Sequence, residues 1–104
     1  ARRYALDMGY WIKRIVLQSG EVVSERELRE DENRFDGTAP VVGDPVEVEC
    51  RGRKFTATVV WGNWPDRDRP AYSVVPLRVA ERGFDETKTP LRFPSREQTK
   101  YALD

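Results

Sequence analysis

The chain has 104 residues, with 18 basic and 18 acidic side chains and so no formal net charge; 38% of its residues are hydrophobic and 35% charged. That length supports one domain with a modest core, and a balanced charge is not the basic excess of a dedicated nucleic-acid binder. Histidine is absent and Cys50 is the single cysteine, which excludes Ser-His-Asp and Cys-His nucleophiles, histidine metal sites and an internal disulfide.

No apolar run reaches the length of a membrane span, and the first residues carry no apolar signal region. A lone thiol suits a reducing compartment, so the expected setting is cytoplasmic. Residues 1–7, ahead of Met8-Gly9, are expected outside the fold. The tetrapeptide Tyr-Ala-Leu-Asp stands at 4–7 and again at 101–104, too short to be an architectural repeat. Trp11–Val23 reads as a hairpin: Trp-Ile-Lys-Arg-Ile-Val-Leu-Gln is β-branched and aromatic, Ser19-Gly20 turns, and Glu-Val-Val returns with Leu17 facing Val22. A helix over 4–17 is the rival, opposed by Gly9 and the β-branched residues. Ser24-Glu25-Arg26-Glu27 is a capping-box pattern, which predicts a short helix over 25–34 anchored by Leu28 and Phe35, or else a solvated charged loop. Asp36–Pro40 is a turn.

Gly43–Trp61 is the clearest signal. Two alternating runs flank Arg51-Gly52, the signature of a hairpin. Pairing outward from the turn sets Cys50 opposite Arg53, Glu49 opposite Lys54, Val48 opposite Phe55, Glu47 opposite Thr56 and Val46 opposite Ala57. Val46, Val48, Cys50, Phe55 and Ala57 then share the core face, and a one-residue slip would send all of them to water. Gly62–Pro70 is a loop, and Ala71–Glu81 is a strand with Val75, Leu77 and Val79 on one face. Pro76 lacks a donor, which predicts an edge strand or a bulge. In 83–104, a C-terminal extension, Leu91 and Phe93 dock on the domain and Ser95-Arg96-Glu97-Gln98 starts a short helix.

Strands near 11–17, 21–24, 45–50, 53–61 and 72–80 make a meander of about five. Val42-Gly43-Asp44-Pro45-Val46-Glu47-Val48, followed by Phe55-Thr-Ala-Thr-Val-Val, resembles the opening of SH3-like small barrels of the Tudor and KOW kind. The resemblance covers residues 42–61 and implies a fold, not a site. The expected class is therefore mainly β: a small SH3-like barrel, or a strongly bent antiparallel sheet, with one or two short helices.

Chemistry-bearing residues are few. Cys50 lies on the core face, and as a nucleophile it would need its thiol pKa lowered by Arg51, Arg53 and Lys54. A packed apolar role is the simpler reading. Asp66-x-Asp68 alternates with Arg67 and Arg69, as self-paired loop charges do, and Glu30-Asp31-Glu32 lacks the spaced ligands and glycine of a calcium loop. No catalytic residue, metal site or cofactor is expected. Trp61, Trp64 and Tyr72 cluster around the 62–70 loop. The Tudor resemblance implies an aromatic cage for a methylated cation; alternatively Trp61 continues the Phe55-Ala57-Val59 core face and Trp64 covers a barrel end. Arg51, Arg53 and Lys54 form a basic hairpin tip that could meet phosphates. The expected role is a non-catalytic module that meets a protein partner through its aromatics and the charged segment 24–36. Nucleic-acid binding is the alternative, and no membrane partner is expected.

Overall fold

The computed structural model describes residues 9–64 and 74–94. Within them lie β1 (Tyr10–Val16), β2 (Val22–Val23), β3 (Arg34–Phe35), β4 (Pro45–Cys50), β5 (Arg53–Gly62) and β6 (Val75–Glu81), all in one sheet. The strand expected from residue 72 begins at Val75 among the described residues, while its expected residues 72–73 and the helix expected at Ser95–Gln98 lie outside them.

The β4–β5 hairpin has the expected register throughout, from Cys50↔Arg53 to Val46↔Ala57. Its turn residues Arg51 and Gly52 both have positive φ, 53° and 81°. This is the turn whose twist matches that of the flanking strands.

Several features differ from expectation. The sheet is not a purely antiparallel meander: its order is β2-β1-β6-β5-β4, with β6 inserted between β1 and β5 and parallel to β1. β2 pairs with the C-terminal end of β1, and β3 pairs with its N-terminal end on the same side. The other side of β1 is left for β6, whose Leu77 and Val79 are wholly buried there. Pro76 therefore lies in a central strand, neither at an edge nor in a bulge. It is tolerated because it is the second residue of β6 and faces Asn63, just past the end of β5; its carbonyl accepts from the Asn63 N–H at 3.1 Å.

No helix forms among the described residues, so the one expected over 25–34 is absent. The Leu28 N–H reaches the Ser24 carbonyl in a single turn, and Leu28 is buried in the core. Glu27, the residue that would complete a capping box, is instead drawn to Arg51.

The first hairpin also shifts by one residue. Val16 pairs with Val22, and the Leu17 N–H donates to Glu21 rather than Leu17 facing Val22. Residues 18–20 form a three-residue loop closed by Gly20 at φ 92°, a common hairpin closure with glycine in the left-handed region.

The sheet curls around one core. Ile12, Ile15 and Val23 from one end join Val46, Val48 and Cys50 from the other, with Leu28, Ala57, Val59, Val75, Leu77 and Val79 between them. Phe35 holds β3 in place through a stacked ring contact with Tyr10, 5.3 Å between centroids. The barrel is not closed: β4 pairs only with β5 among the described residues. A depression of about 540 Å³, lined in part by Glu32, Phe35, Glu47, Glu49 and Lys54, marks that seam. On the opposite edge the 91–93 segment runs beside β2, with hydrogen bonds from Val22 N–H to the Arg92 carbonyl and from Arg92 N–H to that of Gly20.

A Cβ on Gly20 would collide with the Pro90 carbonyl oxygen, a backbone atom that cannot rotate away, and would also strain a left-handed φ. Gly20→Ala is expected to cost at least about 2 kcal/mol and to lower the thermal midpoint by roughly 10 °C, read by circular dichroism.

Candidate functional site

Alternation along Phe55, Ala57 and Val59 would carry Trp61 into the core. A bulge prevents this. Val59 pairs with Val79 and Trp61 with Arg78, leaving Val60 as the extra residue. Val60 and Trp61 consequently face outward, 48% and 37% exposed. Gly62 takes the inward place beside Leu77, and the Trp64 ring lies against it. A second bulge occurs on the other side of β6, where Ile12 pairs with Leu77 and Arg14 with Arg78, leaving Lys13 over. Both irregularities thus flank Arg78. Bulges of this kind re-aim side chains and are frequent beside binding sites.

The result is a row across the outer face of the sheet. The Arg78 guanidinium lies over the Trp61 ring, 4.4 Å from its centroid, and Lys13 Nζ is 5.9 Å from the same ring. Across the strand from Arg78, Arg14 lies over the Phe93 ring at 4.7 Å. These are cation–π contacts. Together with Thr58, Phe84 and Leu91, the residues Arg14, Arg78 and Trp61 line a groove of about 660 Å³ between the sheet and the 82–91 segment.

The carboxylates beside this groove are largely engaged. Glu81 accepts from the Gln18 N–H at 2.9 Å and pairs with Arg53, and the Arg53 hydrogen bond is the main cause holding its pKa below the ordinary carboxylate value. Asp85 accepts from the hydroxyl and the N–H of Thr87, which lower its pKa likewise. Arg78 is different: its Nε is buried and without a hydrogen-bond partner among the described residues.

The expected aromatic cluster is not assembled as a cage. Trp61 is on the outer face, and its ring is already covered by cations of the chain itself. Trp64 packs on the core side, its indole N–H donating to the Pro40 carbonyl at 2.6 Å. Tyr72, Asp66 and Asp68 lie outside the described residues.

The basic tip is held by acids. Arg51 pairs with Glu21 and Glu27, each at 2.9 Å, and Arg53 pairs with Glu81 at 3.2 Å while lying over the Phe55 ring. Lys54 makes no ion pair among the described residues and lines the seam depression. The Cys50 thiol is pushed up in pKa, first by burial and then by the charge of Glu27, the opposite of what a nucleophile needs. Among the described residues no group of acids and cysteine is placed to hold a metal ion, and no helix is long and apolar enough to cross a membrane.

Arg14 and Arg78 were not legible as a pair from the sequence. Each stands at an outward position of its strand, Arg14 next to Lys13 in β1 and Arg78 between Leu77 and Val79 in β6, but only the unexpected β1–β6 neighbourhood brings them together. Set against protein-family models, curated proteins and solved structures, the chain gives no match in any of the three.

Trp64→Ala removes a ring from the core edge and leaves the Pro40 carbonyl unpaired, at a cost of roughly 2–4 kcal/mol. Trp61→Ala, on the outer face, is expected to cost no more than about 1 kcal/mol. Urea midpoints compare the two. For the Arg51 clasp, the hydrogen bond from Arg51 depresses the Glu27 pKa below its ordinary 4.5. The stability from this pair is present above that value and is lost as pH falls through the lower folded-state pKa. Arg51→Gln is expected to cost about 1 kcal/mol at neutral pH, less in high salt. Its unfolding midpoint should also fall less steeply than that of the parent chain on acidification; equal slopes would show the clasp to be silent.

Proposed function

We propose that this domain is a non-catalytic protein-binding module, a small open barrel of the SH3-like kind, that receives a short apolar segment of a protein partner in the groove beside Trp61. The observation that carries this reading is the paired bulges around Arg78. They spend regular ladder pairing to turn Trp61 outward, beside Phe84 and Leu91, on a face that would otherwise be plain sheet. An exposed aromatic with apolar neighbours and a polar rim is the composition of a protein-recognition surface. The lone buried thiol of Cys50 suits a reducing, cytoplasmic setting.

Nucleic acid is the weaker alternative. The Arg51 and Arg53 guanidiniums at the hairpin tip are committed to carboxylates, and the groove carries Glu81, Asp85 and Glu86 along one side, which a phosphate backbone would have to pass. Of the charged segment 24–36, Leu28 is buried and Glu27 is held by Arg51, so the groove is the better candidate for the contact surface.

The test is an NMR titration of the labelled domain with short apolar peptides, with and without acidic residues, and separately with single-stranded oligonucleotides. The reading expects peptide-induced shifts at the Trp61 indole and at Leu91, removed by Trp61→Ala while amide dispersion is kept. Shifts confined to Arg51–Lys54, produced by oligonucleotide and falling steeply with salt, would replace it.

A further inference from the structure

We infer that Arg78 is a carboxylate-recognition site, and that the segment entering the groove carries one carboxylate among apolar residues. This rests on the groove being a peptide site and goes further by naming the group recognised. Arg78 and Arg14 are cross-strand partners in the parallel β1–β6 pair, and like charges placed opposite one another on a sheet destabilise it. The chain sets this repulsion up with two bulges and does not relieve it at Arg78: no ion pair is made by that guanidinium among the described residues, and since its Nε is closed to solvent, a ligand in the groove meets the rest of the guanidinium. A charged donor left unsatisfied costs more than a neutral one.

The nearby acids do not repair this: two are engaged elsewhere, and the third, Glu86, is exposed and makes no ion pair with Arg78 among the described residues. Glu81 is turned to Arg53 and the Gln18 amide, and Asp85 to Thr87. Stacking on Trp61 holds the planar guanidinium in place, which lowers the ordering cost of binding, and a fixed guanidinium fork matches the two oxygens of a carboxylate. Lys13, close to the same ring, is paired with Glu25 at 3.8 Å, which leaves Arg78 as the cation that meets the ligand. The groove's larger apolar side chains are Trp61, Phe84, Val60 and Leu91, which suits apolar neighbours on either side of the acid. Glu81, Asp85 and Glu86 share the groove and repel a phosphate dianion more strongly than a carboxylate, which carries a single charge.

The probe is the blocked tetrapeptide acetyl-Leu-Asp-Leu-Leu-amide, compared with its Asn counterpart and with acetyl-Leu-Leu-Leu bearing a free C-terminal carboxylate. The Nε–H resonance of Arg78 and the Trp61 indole are followed by NMR. The acidic peptide is expected to shift both and to bind at least about tenfold more tightly than the Asn peptide, a difference of about 1.4 kcal/mol. The blocked Asp peptide is expected to bind more tightly than the free-terminus peptide; the reverse order would overturn recognition of an internal side-chain carboxylate. Arg78→Lys, which keeps the charge and loses the fork, is expected to remove most of that tenfold preference. The Asp-against-Asn comparison uses the unaltered protein, so it stands even if the variant fails to fold. Equal affinity for Asp and Asn peptides, with Trp61 still shifting, would overturn the carboxylate site and leave the peptide groove intact. Absence of shifts at Trp61 with every peptide would remove both. Preference for an oligonucleotide at Arg78 would overturn the carboxylate assignment in favour of phosphate.

Discussion

Everything in this fold is organised around one central strand. β6 gives one edge to β1 and the other to β5, so its N–H and C=O groups must find partners on both sides. A proline in such a strand is acceptable only where one neighbour has ended, and Pro76 stands there, opposite Asn63 beyond β5. Leu77 and Val79 then reach complete burial between the two flanking strands. The core is therefore sewn through its last strand, and the two ends of the sheet curl towards each other around it.

The same strand explains the outer face. A ladder that was regular on both sides of β6 would keep strict alternation, with Trp61 inside. The two bulges break that alternation on either side of Arg78 and change which residues meet water. The inward place that Trp61 gives up is filled by Gly62 and the Trp64 ring. One aromatic is thereby exchanged for another, and the core loses no ring. Elsewhere the surface charges mostly neutralise one another: Arg51 with Glu21 and Glu27, and Arg53 with Glu81. In a chain with no net charge, this local pairing leaves Arg78 as a guanidinium with no matching acid among the described residues.

Local pattern was a good guide where contacts are local. The β4–β5 register could be read residue by residue, because its turn and its alternation agree. The β1–β2 hairpin was legible as a hairpin, but its loop holds three residues instead of two, since one glycine fits either turn. The parallel pairing of β1 with β6 had no local signature: it joins residues more than sixty positions apart, such as Ile12 and Leu77. The helix expected at 25–34 failed because a capping box is only a local preference, and Glu27 found a stronger partner in Arg51. The bulges at Val60 and Lys13 were hidden for a similar reason. Val-Val-Trp and Ile-Lys-Arg read equally well as regular strand, and only the demands of the neighbouring strand decide between them. The outward row is built from these two bulges and the long-range pairing, so the site was less legible than the fold.

The place of β6 in the chain has a consequence for the order of events in folding. The β4–β5 hairpin closes a short loop and can form early, whereas β1 emerges first during synthesis and must wait for a partner made near the other end of the described chain. Such non-local pairing is slow, because the intervening chain must be ordered before it is rewarded. Until β6 arrives, Ile12 and Ile15 on one side and Ala57 and Val59 on the other have no common core to enter. A nascent chain paused before residue 75 would thus hold two half-sheets with exposed apolar faces, the condition in which small β proteins associate wrongly. The glutamates of β4, at 47 and 49, alternate with its buried valines and face water. They put charge along the edge that stays open longest and disfavour strand-to-strand association there.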